Sequence, residues 1–183
     1  VFDQAFHAFI EQSPISVMFR GVLENVFSCD RLDHIFAKAA VRQHTSPLLF
    51  STCADLLSMV VLTARKSVNA AYRARLDEME VSIKAVYDKL SGIEPAVSER
   101  LVRDTAADLA GVVDELGAGV KGPLAGFVVR ILDGNHLAGT DHRLLELRRR
   151  GAAALPGQAI AVLDPQRQLL LDVITCEDGH TNE

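Results

Sequence analysis

An α+β fold is predicted for this chain of 183 residues, with an all-helical region over residues 1–120 and a β-containing region over 121–183. Three observations lead there. Apolar residues recur at helical spacing as far as Leu116, the pattern changes abruptly after Lys121-Gly122-Pro123, and two apolar runs flank Asp164-Pro165-Gln166-Arg167 near the end.

The helical region carries start signals at Ser13-Pro14, Ser46-Pro47 and Ser98. Its most apolar stretch, Pro47 to Ala64, is broken by Ser51, Thr52, Asp55 and Ser58. It falls short of the ~20 apolar residues that a bilayer span needs and reads as a buried core helix, so no membrane partner is expected.

Val81 to Leu90 is predicted as a shorter helix, and Ser91 to Pro95 as the break before the next. From Ser98 to Leu116, Leu101, Thr105, Leu109, Val112, Val113 and Leu116 form the apolar stripe, and Gly117 with Gly119 stops the helix. The pair reads first as an ordinary helical hairpin and second as a DNA-reading helix-turn-helix.

In the second region, Gly126 to Asp133 (GFVVRILD) is expected to be a buried strand, and Thr140 to Arg150 a helical insert. Residues 157–176 are expected to form a hairpin: Gly157 to Leu163 pairs with Gln168 to Cys176.

Composition narrows the function. With 49% hydrophobic and 23% charged residues the chain is globular rather than disordered. A net charge of −5 gives the whole molecule no general attraction to nucleic acid, so a polyanion site has to be a local basic patch. Cys29, Cys53 and Cys176 make neither a disulfide framework nor a CxxC clip, which points to a reducing, cytoplasmic compartment. The chain opens on Val1 rather than Met, so its numbering is expected to start inside a longer reading frame.

No GxSxG nucleophile elbow, GxGxxG fingerprint or GxxxxGK[ST] phosphate loop is present. The run Asp133-Gly134-Asn135-His136 with Asp141-His142 mixes carboxylate and imidazole, but no pair has the i, i+4 spacing of a zinc helix motif. Asp133 stands out because a carboxylate ending an apolar strand is explained by a cleft that admits a hard cation. Asp-Gly is also the commonest short turn signal, and composition alone favours that reading.

Two basic patches are candidate phosphate contacts. Arg65, Lys66, Arg73 and Arg75 lie in a stretch without an acidic residue, and on one continuous helix they would cover about half its circumference. Arg148, Arg149 and Arg150 end the expected insert, where helix-terminal capping is the competing explanation.

Taken together, Arg130-Ile131-Leu132-Asp133-Gly134-Asn135-His136-Leu137, Thr140-Asp141-His142-Arg143-Leu144, Leu155-Pro156-Gly157-Gln158-Ala159 and Val162-Leu163-Asp164-Pro165 resemble a DDE-type insertion-sequence transposase of the insertion-sequence-4 class. Lys89-Leu90, Val97-Ser98 and Leu101-Val102-Arg103 resemble the helical segment ahead of the catalytic domain in such proteins.

The resemblance implies that residues 121–183 are the first strands of an incomplete RNase H-like domain, and that Asp133 is the first acid of a three-acid site holding Mg²⁺ or Mn²⁺. It implies transposon terminal repeats as the DNA partner. The second Asp and the final Glu have no match here; Asp164, Asp172 and Glu177 read as turn, strand-face and loop residues.

The expectation is therefore a transposase fragment, truncated after its first catalytic Asp, that binds DNA and is catalytically silent alone, without holding the metal tightly. An open sheet edge then promotes homo-oligomers. The alternatives are a small non-enzymatic DNA-binding regulator or transposition inhibitor, and an unrelated α+β domain.

Overall fold

The computed structural model describes residues 12–43, 47–142 and 155–176, although the side chains of 135–142, 155–158 and 176 fall outside that description. The chain is α+β: helices precede a three-stranded antiparallel sheet. It divides into two compact units, Val1–Gly92 and Ile93–Glu183.

In the first unit, α1 (Pro14–Val26) opens on proline at its first turn, where the missing N–H has no helical partner to lose. Helix α2 (Cys29–Ala39) turns Leu32, Ile35 and Phe36 inward, and α3 (Phe50–Val61) buries Phe50, Ser51, Cys53 and Leu56. Helix α3 is shorter than the apolar stretch from Pro47 to Ala64. It ends where the Leu62 N–H bonds the Ser58 carbonyl, and Thr63 follows in the left-handed region at φ 60.

Serine hydroxyls cap the next two helices. Ser67 accepts the Ala70 N–H at 3.2 Å to start α4 (Val68–Ala74), and Ser82 accepts the Ala85 N–H at 3.3 Å to start α5 (Ile83–Ser91). Leu48, Cys53, Leu56, Ala71 and Val86 form the core of this unit. Beside it Phe36 stacks on Phe50 at 5.3 Å, and the Lys89 ammonium lies 4.2 Å from the Phe36 ring centre.

In the second unit, α6 (Pro95–Glu115) buries Val97 and Ala106. It starts at Pro95, earlier than Ser98, because proline fits the first helical position. Gly117 ends it: at φ +60 its N–H reaches the Asp114 carbonyl at 3.1 Å, while the Ala118 N–H reaches the Val113 carbonyl at 3.0 Å.

The sheet has the order β1 (Ile131–His142), β2 (Leu155–Asp164), β3 (Leu169–Cys176). Helix α6 is stitched to β3 by polar contacts. Glu99 accepts the Thr175 N–H at 3.0 Å and its hydroxyl at 2.6 Å, and Arg103 pairs with Asp172 at 2.8 Å.

Three expectations change. The compact units divide between Gly92 and Ile93 rather than at 120, because α6 packs on β3; a change of secondary-structure grammar is not a change of core. The two helices of the suspected helix-turn-helix, α5 and α6, consequently belong to different units.

The strand expected over 126–133 begins at Ile131. Its first rung is Ile131 opposite Leu163, and β2 stops one residue later at Asp164, so Gly126 to Val129 have no strand residue opposite them among the described residues. At its other end β1 runs on to His142, across the start of the helix expected over 140–150, because β2 offers partners as far as Leu155. The rest of that expected helix, with Arg148, Arg149 and Arg150, lies outside the described residues.

Candidate functional site on strand β1

Asp133 is the third residue of β1, opposite Ala161, with an exposed side chain. It therefore sits near the start of a long strand rather than at its end. The strand is at the edge of the sheet, bonded to β2 on one side. Gly134 pairs with Ile160 as part of the ladder and does not form a turn.

A hard divalent cation needs several oxygen ligands around it. Among the described residues no group of three His, Cys, Asp or Glu side chains converges. Asp133 thus offers one carboxylate, and the described residues do not by themselves fit a Mg²⁺ or Mn²⁺ site. Asp164 and Asp172 are engaged elsewhere, and Glu177 lies outside the described residues.

The best-organised polar cluster of the second unit centres on Asp164, whose side chain has no solvent exposure. One carboxylate oxygen accepts the backbone N–H groups of Gln166 at 2.9 Å and Arg167 at 3.2 Å, closing the β2–β3 turn. The other oxygen faces Arg167 at 3.0 Å and Arg130 at 3.4 Å. Arg167 also forks onto Asp114 of α6 at 2.8 and 2.7 Å.

Burial opposes the Asp164 charge, but the backbone and side-chain hydrogen bonds from Arg167, the Gln166 N–H and the Arg130 charge outweigh it and hold the carboxyl below its ordinary range. Asp114 is likewise held low, chiefly by its hydrogen bond from Arg167. Reading the sequence identifies Asp164 as a turn residue but gives no sign of its burial, because Arg130 and Asp114 are distant in the chain.

The first basic patch does not lie on one helix. Arg65 and Lys66 occupy the exposed turn between α3 and α4, Ser67 caps α4, and Arg73 is exposed on α4. Arg75 differs: its guanidinium donates to Asp55 and lies 3.9 Å from Glu78. Only Arg65, Lys66 and Arg73 of the four are thus exposed without an ion pair among the described residues.

The Asp55–Arg75 pair lies in the wall of a pocket of about 650 Å³ in the first unit, lined largely by Leu23, Phe27, Leu32, Leu56, Val61 and Met79. No described helix is long and apolar enough to cross a membrane.

Comparison of the chain with protein families, curated proteins and solved structures found no match.

Proposed function

We propose that this chain is the DNA-contacting helical region and the first acid-bearing strand of a DDE-type insertion-sequence transposase, acting in the cytoplasm on transposon terminal repeats. DNA strand cleavage and transfer is the activity of the whole catalytic domain in that reading, and the chain alone binds DNA without cutting it. The RNase H-like assignment of residues 121–183 is part of the same proposal.

One observation carries it. The segments that resemble the family are separated in sequence yet lie on paired strands: Asp133 opposite Ala161, and Ile131 opposite Leu163 just before Asp164-Pro165. Asp133 is exposed on the edge strand, where a carboxylate is accessible to an ion held by further ligands.

In this reading Asp133 is one ligand of a Mg²⁺ or Mn²⁺ site whose other ligands are not among the described residues. Two-metal strand cleavage needs more carboxylates than the one that Asp133 offers among the described residues, so in this reading the chain alone binds DNA without cutting it. The second reading, a non-enzymatic DNA-binding regulator, rests on Arg65, Lys66 and Arg73, which are exposed and without an ion pair among the described residues.

The test is duplex DNA binding by fluorescence anisotropy across a salt series, alongside a nicking assay with Mg²⁺ and Mn²⁺. Salt-dependent affinity without nicking is expected. Absence of affinity at low salt would overturn both readings, and nicking abolished by Asp133→Ala would overturn catalytic silence.

A further inference from the structure

We propose that the Arg130–Asp164 ion pair is the register lock of β1 on β2, and so decides on which face of the sheet Asp133 stands. The functional weight of that face rests on the proposed function; the register claim does not.

Strand register is ordinarily set by a buried apolar face, because a slip of one residue turns every side chain over. Strand β1 lacks that instruction at its start. Ile131 and Leu132 are successive residues on opposite faces, and they are 46% and 64% exposed. Phe127 and Val128 ahead of them are exposed as well. Among the described side chains of β1, burial therefore gains little in one register over the next.

The ion pair supplies what the apolar pattern does not. Arg130 directly precedes Ile131, and Asp164 directly follows its partner Leu163, so the pair sits where the next rung would be. Asp164 itself cannot shift. Its carboxylate is tied to the Gln166 and Arg167 N–H groups, its side chain is fully buried, and Arg167 is forked onto Asp114.

Among the described residues, Arg130 is the one cation reaching Asp164 from outside its own turn. A slip of one residue would move the Arg130 backbone by about 3.3 Å and turn its side chain to the opposite face. The guanidinium would leave Asp164, buried in the present register, with only the partners of its own turn. The cost falls on the slipped register alone, which is what a lock requires.

The experiment is nuclear magnetic resonance of the full chain, reading cross-strand contacts in the unaltered protein and in Arg130→Met, Arg130→Lys and Asp164→Asn. The unaltered protein should give one set, with Ile131 against Leu163 and Asp133 against Ala161. Arg130→Met keeps the apolar stem; it should add a second set displaced by one rung, while contacts between β2 and β3 persist. Arg130→Lys should restore the single set, and Asp164→Asn should behave as Arg130→Met.

A single unchanged set in Arg130→Met would overturn the proposal. So would disappearance of the β2–β3 contacts in that variant, including complete unfolding, since a register lock leaves the hairpin intact. None of these readouts involves DNA or metal, so failure of the lock and failure of the proposed function are seen separately.

Discussion

The Asp33 carboxylate on α2 receives both the backbone N–H and the hydroxyl of Ser51, at 2.9 and 2.7 Å, and so caps α3 from a neighbouring helix. Leu49, at the N-cap position of α3, has no side chain able to do this. The bond also satisfies a hydroxyl that is otherwise buried, since Ser51 is almost without solvent exposure.

Asp33→Ala should therefore cost about 1–2 kcal/mol, the usual range for losing a helix cap, and Asp33→Asn less, because an amide oxygen still accepts one bond. Chemical denaturation followed by circular dichroism checks this. Equal midpoints for Asp33→Ala and the unaltered chain would show that Ser51 finds another acceptor.

Acid should weaken the second unit. Asp164 and Asp114 are held below the ordinary carboxylate range in the folded chain. A carboxyl depressed by folding contributes fully above its unfolded value of about 4, and that contribution is lost as pH falls through the folded value. Unfolding measured from neutral pH down to about 3 should show stability falling below pH 4, and less steeply in Asp164→Asn. Identical slopes would remove Asp164 from this role.

Cys53 is buried in the core, and burial pushes its thiol up to about 11, with Lys89 acting in the opposite direction. Thiolate is the reactive form, so Cys53 should resist alkylation at neutral pH until the chain unfolds, whereas exposed Cys29 is modified in the folded state. Peptide mass spectrometry after a timed iodoacetamide pulse distinguishes the two. Because folding raises this pKa, its stabilising contribution is complete below the unfolded value and is lost as pH rises through about 11.

If the helical unit binds DNA, its basic residues should not contribute equally. Neutralising Arg65, Lys66 and Arg73 together should reduce the salt slope by about 0.9 for each phosphate that they had neutralised. Arg75→Gln should leave the slope unchanged, because that guanidinium already faces Asp55 and Glu78. A lower salt slope in Arg75→Gln would place Arg75 on the DNA despite its carboxylate partners.

The sequence by itself determined what depends on neighbours a few residues away. Helical periodicity and the proline and serine start signals locate α5 and α6 to within a few residues, and Gly117 stops α6 because only a residue tolerant of positive φ closes the helix that way. The α+β character follows from the same local grammar.

Only tertiary structure decided the rest. Gly126 to Val129 has the composition of a strand, but a strand exists where it has a partner, and β2 ends at Asp164, level with Arg130. Arg75 resembles its basic neighbours in sequence until Asp55, twenty residues earlier in the chain, meets it. Asp133 and Asp164 are both acids beside an apolar run, yet one is exposed and the other fully buried. Burial and pairing depend on which distant segments fold back on a residue, and short-range pattern does not encode that choice.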